Sequence, residues 1–205
     1  CFGCGAPGSA ISFLMEYSGL GFIDAVKELA SNVGMEVPQD DFTPNRDRVR
    51  EQSLTELMAQ AARFYKEQLK RSPIAIDYLK GRGLTGEIAA RYGLGYAPEG
   101  WQALQAAFPD YSAASLLECG LVLENEQGRR YDRFRDRIMF PIVDQRGHII
   151  GFGGRVLDQG EPKYLNSPET ALFEKGRELY GLYQGRRAIR DAGRVIVVEG
   201  YMDVV

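Results

Sequence analysis

Apolar positions in the first half of the chain recur every three or four residues, the spacing of one helix face. Ile11, Phe13, Leu14 and Met15 form one short pattern; Phe22, Ile23, Val26, Leu29 and Ala30 form a second. Gly19, Gly21 and Gly34 stand where such helices would end. A longer pattern opens near residue 46 and places Leu54, Leu57, Met58, Ala61, Phe64, Tyr65 and Leu69 on one buried face. Shorter helices are predicted over 73–80, 85–92, 101–108 and 112–119, stopped by Gly81, Gly83, Gly93 and Gly120. After Gly120 the period changes. LVLEN, RIMFPIVD and HIIGFGGRVL read as strands, with DQRG (Asp144 to Gly147) as a hairpin turn between the last two. A long irregular loop, DQGEPKYLNSPET, comes next, followed by a helix over Tyr183–Ala192. Val195–Val198 then form a final strand that runs into Glu199 and Gly200.

Between the second and third helical patterns lies VPQDDFTPNRDR (Val37 to Arg48), polar and turn-rich, which reads as a linker. The 205 residues are enough for one large or two modest domains of ordinary soluble composition. No apolar stretch approaches the roughly 18 residues of a membrane span, no signal peptide opens the chain, and no membrane partner is expected. Residue 1 is Cys rather than Met and the last strand is followed by only a short tail, so a piece of a longer protein is expected.

The net charge of -3 argues against a nucleic-acid binder, but its distribution does not. Residues 1–128 hold 11 Lys/Arg against 17 Asp/Glu, whereas residues 129–199 hold 14 against 10. A locally basic second half can follow a phosphate backbone despite an acidic total.

Several stretches could carry chemistry. Cys1 and Cys4, in CFGC, offer two thiolates at the spacing of a zinc knuckle, with glycines that permit the tight turn. A redox pair or chance spacing are the alternatives, and the lack of a βαβ context weakens the redox one. Two ligands leave a tetrahedral site half built, so the other pair is expected upstream. The three cysteines make no disulfide framework and suit a cytosolic chain.

In RRYDRFRDRIMFP, a strand would put Arg133, Arg135 and Arg137 on one face and Phe134 on the other. Such a stripe can grip phosphates; equally, it can be a solvated face offset by Asp132 and Asp136. The glycines of GFGGRVL allow close backbone approach to a ligand, with Arg155 directly after them. Lys163, Tyr164 and Asn166 add a cation, a ring and an amide in the following loop. Glu199 at the tip of the last strand, with Asp203 a turn later, is a candidate oxygen ligand for Mg²⁺ if further acids join it. The plain alternative is a carboxylate capping a helix start. His148 and Cys119 read as structural.

Taken in order, CFGCGAPGSAISFL, YLKGRGL, RYDRFRDRIMFPI, IGFGGRVL, PKYLNSPET, FEKGRELYGLY and VVEGYMDVV resemble bacterial replicative primases of the DnaG type across essentially the whole chain. The resemblance implies an α/β fold: a mixed α+β polymerase subdomain leading into a toprim sheet, preceded by the tail of a zinc ribbon. It implies a division into a zinc-binding part (1–38), a linker (39–48), the N-terminal subdomain of the polymerase core (49–193) and the start of toprim (194–205).

It further implies that Cys1 and Cys4 are two of the ligands of a structural Zn²⁺. Glu199 and Asp203 are then catalytic, with Glu199 a ligand of Mg²⁺ or Mn²⁺ completed by acids beyond Val205. Arg82, Arg155, Lys163 and Lys175 are implied to hold template, primer or nucleotide, accompanied by Tyr164 and Asn166. The implied partners are single-stranded DNA, the RNA primer, ribonucleoside triphosphates and, through an absent C-terminal domain, the replicative helicase in a bacterial cytoplasm. On that reading the 205 residues alone make no primers. A topoisomerase or phage primase-helicase is a rival enzyme, although a topoisomerase has no counterpart to the region between RFRDRIMFPI and KYLNSPET. A recombination mediator or single-strand-binding scaffold of toprim shape is the rival without catalysis.

Overall fold

The computed structural model describes residues 8–35, 46–158 and 160–205. The chain divides into two compact units, Cys1–Asn45 and Arg46–Val205. Cys1, Cys4 and the expected linker up to residue 45 lie outside the described residues. In the first unit, α1 (Ala10–Ser18) starts under a Ser9 cap, whose hydroxyl accepts the Ser12 N–H at 3.1 Å. It ends at Gly19 in the left-handed region, and α2 (Phe22–Asn32) follows.

The second unit begins with α3 (Arg46–Arg71). Leu54, Met58, Ala61, Tyr65 and Leu69 are its buried stripe, at the three-and-four spacing read from the sequence. Ser72 caps α4 (Pro73–Gly81), with Pro73 in the first turn, where a missing N–H costs nothing. Thr85 caps α5 (Gly86–Tyr92), and Gly93 stops it at φ 66°. β1 (Gly95–Ala97) follows. The helix predicted over 101–108 is only a 3-10 turn, Ala103–Ala106, whose Leu104 N–H is capped by the Asp132 carboxylate at 2.9 Å. Then come α6 (Ala114–Glu118), β2 (Val122–Glu124), β3 (Arg130–Asp132), β4 (Arg137–Val143) and β5 (Ile149–Val156). β6 (Tyr164–Asn166), α7 (Leu182–Ala192) and α8 (Tyr201–Val204) complete the unit.

Four strands form one antiparallel sheet in the order β1-β4-β5-β6, and β2 and β3 pair separately as a ribbon. Asp144 closes the β4–β5 turn as expected from DQRG: its side chain accepts the N–H groups of Arg146 and His148. β4 is covered on both sides. Met139 joins the cluster built on α3, while Ile138 and Phe140 join Leu69, Leu79 and Leu94, with Tyr180 and Tyr201 packed against them. This mixed α/β arrangement puts β5 beside β4 and lays the β6 residues across Gly153, Gly154 and Arg155.

Two expectations change here. DQGEPKYLNSPET is not loop throughout, since Tyr164–Asn166 adds a strand; backbone pairing needs no apolar alternation to be made. And Val195–Val198 is not a strand. The four residues are 40–80% exposed and have no ladder partner among the described residues, so the apolar run has nothing to pair with.

Gly95 is where β1 meets α3. A Cβ there would lie 2.6 Å from Tyr65 Cβ and 2.8 Å from its carbonyl carbon. Gly95→Ala therefore forces helix and sheet apart and is expected to cost about 1–3 kcal/mol in urea unfolding. An unchanged midpoint would mean that α3 does not sit this close.

Candidate nucleic-acid interface

Arg155 lies at the middle of the site. β5 carries it between Ile138 of β4 and Tyr164 of β6, and it is 7% exposed. Its Nε donates to the Tyr78 hydroxyl and its Nη1 to that of Tyr164. The guanidinium also lies 5.1 Å from the Tyr164 ring centre and 5.9 Å from that of Tyr78. Burial works against its charge, but the hydrogen bonds to the two phenols outweigh that and raise its pKa above the ordinary arginine value. Arg82, exposed at the end of α4, places its guanidinium over the other ring contact of this set, 5.5 Å from the centre of Tyr78.

Asn166 links this group to α8. Its Oδ1 accepts the Tyr201 hydroxyl at 2.8 Å, and its backbone carbonyl accepts Arg133 Nη2 at 3.1 Å. Tyr201 lies against Gly153, where a Cβ would come within 2.5 Å of its ring, and stacks on Phe140 at 5.2 Å. Burial pushes the Tyr201 phenol up to about 12. The structure thus brings Arg82, Arg155, Tyr164 and Asn166 into one chain of contacts through Tyr78 and Tyr201. Neither tyrosine was singled out from the sequence, because an aromatic at helical spacing reads first as core. Lys163 is exposed beside Tyr164, and Lys175 is exposed on the 3-10 turn Lys175–Arg177.

Glu199 is exposed two residues before Tyr201, on a bend rather than a strand tip. Asp203 Oδ2 accepts the Gly200 N–H at 3.0 Å, closing the first turn of α8. Oxygen donors are the right kind for Mg²⁺, but these two carboxylates do not hold it unaided, and one is already engaged. Among the described residues no three of His, Cys, Asp and Glu come together as a metal site.

The expected arginine stripe is absent. β3 ends at Asp132, and Asp136, at φ 49°, redirects the chain before β4 begins, so the alternation of a continuous strand is lost. Arg133 goes to the Asn166 carbonyl, and Arg135 donates to the Asp132 carbonyl. Arg137 is buried on the carbonyls of Gly154 and Pro162, at 3.3 and 2.8 Å. Nor do the glycines of GFGGR open onto empty space. Phe173, Tyr201 and Phe134 fill the room beside Gly151, Gly153 and Gly154.

Around Asp132 a second surface is organised that sequence reading missed. Asp132 is buried; its carboxylate accepts the Leu104 N–H and, at 2.6 Å, the Tyr111 hydroxyl. Its own N–H donates to the Trp101 carbonyl at 2.7 Å. On the outside, Trp101 is 66% exposed, Tyr131 meets it edge-on, and the Arg135 guanidinium lies 4.3 Å from its ring centre. The pairing of Arg135 with Trp101 depends on the fold, since 34 positions of sequence separate them.

Residues 64–186 match the family described as the DNA primase catalytic core, N-terminal domain. The chain belongs to the DnaG-type bacterial DNA primases. A DNA primase of Neisseria meningitidis (serogroup A) is 57% identical over all of this chain and 36% of its own length. The chain spans about a third of the length of the curated primases it matches. A solved DnaG primase catalytic domain bound to ssDNA is 48% identical, with a TM-score of 0.72 over 77% of this chain and 52% of that one. The zinc-binding and RNA polymerase domains of Aquifex aeolicus primase match 99% of this chain and 49% of theirs, at 35% identity and a TM-score of 0.68. The CHC2 zinc finger family matches residues 1–44, which include Cys1 and Cys4. In this primase chain no described helix is long and apolar enough to cross a membrane.

Desolvation raises the Asp132 pKa despite its hydrogen bonds to Tyr111 and to the backbone. A carboxyl whose folded pKa exceeds its unfolded one loses stability as pH rises from the unfolded value, about 4, through the folded one. Asp132→Asn offers one acceptor to two donors and is expected to cost about 1–3 kcal/mol in urea unfolding. The wild-type advantage should shrink as pH rises through that window; a gap that widens instead would mean a stabilised carboxylate.

Proposed function

We propose that the protein containing this chain makes short RNA primers on single-stranded DNA, and that this segment supplies the surface that holds nucleic acid beside the reacting groups. One observation carries the reading: Arg82, from the end of α4, meets Arg155, Tyr164 and Asn166 around Tyr78 and Tyr201, and Tyr201 stands two residues after Glu199 in the chain. The names and the single-stranded DNA of its relatives support the same substrate class.

The chain's own residues contribute charge and position. Arg155 is buried and held by two phenols that leave its guanidinium charged, so it lends positive charge to a phosphate gripped by its exposed neighbours. Arg82, Lys163 and Lys175 add exposed cations, and Tyr164 and Tyr201 add rings at the edge of the cluster. Phosphoryl transfer rewards this kind of alignment and charge neutralisation more than covalent participation. Glu199 is the proposed acid at the reacting end, with Asp203 fixing the turn that presents it. Mg²⁺ or Mn²⁺, held by Glu199 with acids from elsewhere in the protein, would neutralise the triphosphate and activate the primer hydroxyl.

Trp101 with Tyr131 and Arg135 offers single-stranded DNA a stacking platform next to a cation. Arg133 and Arg137 act by fixing the backbone of β6 and of the loop before it, through the carbonyls they bind. Zn²⁺ at Cys1 and Cys4 with a second ligand pair, ribonucleoside triphosphates, the RNA primer, a replicative helicase and a cytoplasmic replication fork complete the proposal.

Primer synthesis on single-stranded DNA by the full-length protein, with ribonucleotides and Mg²⁺, tests it against Glu199→Gln. Primers from the wild type and a loss of at least about a hundredfold in the variant are expected. Binding without synthesis by both would overturn the polymerase reading in favour of a scaffold. Separately, Trp101→Ala should weaken single-stranded DNA binding by about tenfold, the order of one stacked base. Unchanged affinity in a fluorescence anisotropy titration would remove Trp101 from the DNA path.

A further inference from the structure

Most arginines in the centre of the second unit are spent on the protein itself. Arg130, Arg133, Arg135 and Arg137 donate to backbone carbonyls, and Arg155 to two phenols. Those of α7 are not. From Leu182 to Arg194 the chain carries Arg186, Arg187, Arg190 and Arg194 against a single acid, Asp191. Arg187 is 86% exposed and Arg190 65%, and both reach Asp191 only at the outer limit of an ion pair, 3.8 and 3.9 Å. One carboxylate cannot neutralise two guanidiniums, and among the described residues Arg186 and Arg194 have no acidic partner at all.

The cations are also aligned. Tyr183, Arg186, Arg187 and Arg190 stand at positions i, i+3, i+4 and i+7, which is one face of the helix. Tyr183 fixes the start of that face. Its hydroxyl end abuts the β4–β5 turn at Gly147, where a Cβ would come within 2.7 Å, and the Arg186 guanidinium lies 4.3 Å from its ring centre. A cation near a helix C-terminus is favoured by the helix dipole, which accounts for Arg190 in the last turn but not for Arg186 or Arg187. Three like charges crowded on one face cost repulsion unless an anion faces them.

The helix also begins in the right place. Tyr180, two residues before α7, packs edge-on against Tyr201 at 4.7 Å, and Tyr201 holds Asn166 of the candidate interface. Arg91 of α5 donates to the Gln184 carbonyl at 3.4 Å, adding a further guanidinium at the first turn.

We propose that this face of α7 binds the phosphate backbone of single-stranded DNA, as a sequence-independent track running from the Tyr201 cluster. The inference rests on the primase reading for its choice of ligand. Guanidiniums suit phosphodiesters through paired N–H donors, and the face has no free ring or amide with which to read bases. It is a contact that adds affinity and salt dependence rather than sequence preference.

The test compares the full-length protein with its Arg186→Gln/Arg187→Gln/Arg190→Gln variant in anisotropy titrations across a range of salt. The probes are a fluorescent oligothymidylate and a blunt hairpin duplex. With two or three phosphates released, the slope of log affinity against log salt on the single strand should fall by about 1.4–2.1. The corresponding Arg→Lys triple variant should recover most of it, because a point charge suffices for counter-ion release. An unchanged slope on the single strand overturns the proposal, as does a change confined to the duplex. So does a large fall in thermal midpoint that lysine does not repair, which would mean that α7 packs against protein. Primer synthesis by the wild type is scored in parallel. If it is absent while the slope still falls, the primase reading fails and the DNA track stands.

Discussion

Along β5, Gly151, Gly153 and Gly154 leave out side-chain volume that Phe173, Tyr201 and Phe134 occupy. The closeness of that packing governs much else. Tyr201 reaches the Asn166 amide because it can lie flat against Gly153, and Phe134 reaches the α3 cluster because Gly154 offers no Cβ. Any side chain at Gly153 would collide with the Tyr201 ring and displace α8. The strand is therefore a fixed surface from which the aromatic layer on one side and α3 on the other take their positions.

On that surface, arginine plays two distinct parts. Arg133 binds the Asn166 carbonyl of β6, and Arg137 binds the carbonyls of Gly154 in β5 and of Pro162 before β6. They tie the segment around Asp136 to β5 and β6. Arg155 differs because its partners are phenols, which orient it without cancelling its charge. The exposed arginines of α7 are different again, held by a helix rather than by acceptors. Charge counted along the sequence cannot separate these roles, since all of them contribute equally to the basic balance of residues 129–199.

Asp132 shows the same principle with the opposite sign. Read along the chain it is an acid that offsets neighbouring arginines. In the fold it is buried and binds Leu104 and Tyr111 through its carboxylate and Trp101 through its backbone. It thereby caps the Ala103–Ala106 turn and ties Trp101 to β3. Its burial is affordable only because donors meet both carboxylate oxygens.

The sequence alone determined the elements whose signal is local. The α3 stripe, the left-handed stops at Gly19 and Gly93, the DQRG turn and the long strands β4 and β5 all follow from spacing and backbone freedom. So does the family, through motifs in a fixed order. Tertiary structure decided what depends on partners far away in the chain. It chose which arginines are buried, added β6 inside an apparent loop, and left Val195–Val198 without a strand partner among the described residues. It also joined Tyr78, Arg155, Tyr164, Asn166 and Tyr201 across more than a hundred residues. The reason is physical: helix periods and caps are settled within a few residues, whereas hydrogen-bond partners and strand neighbours exist only once the chain has packed.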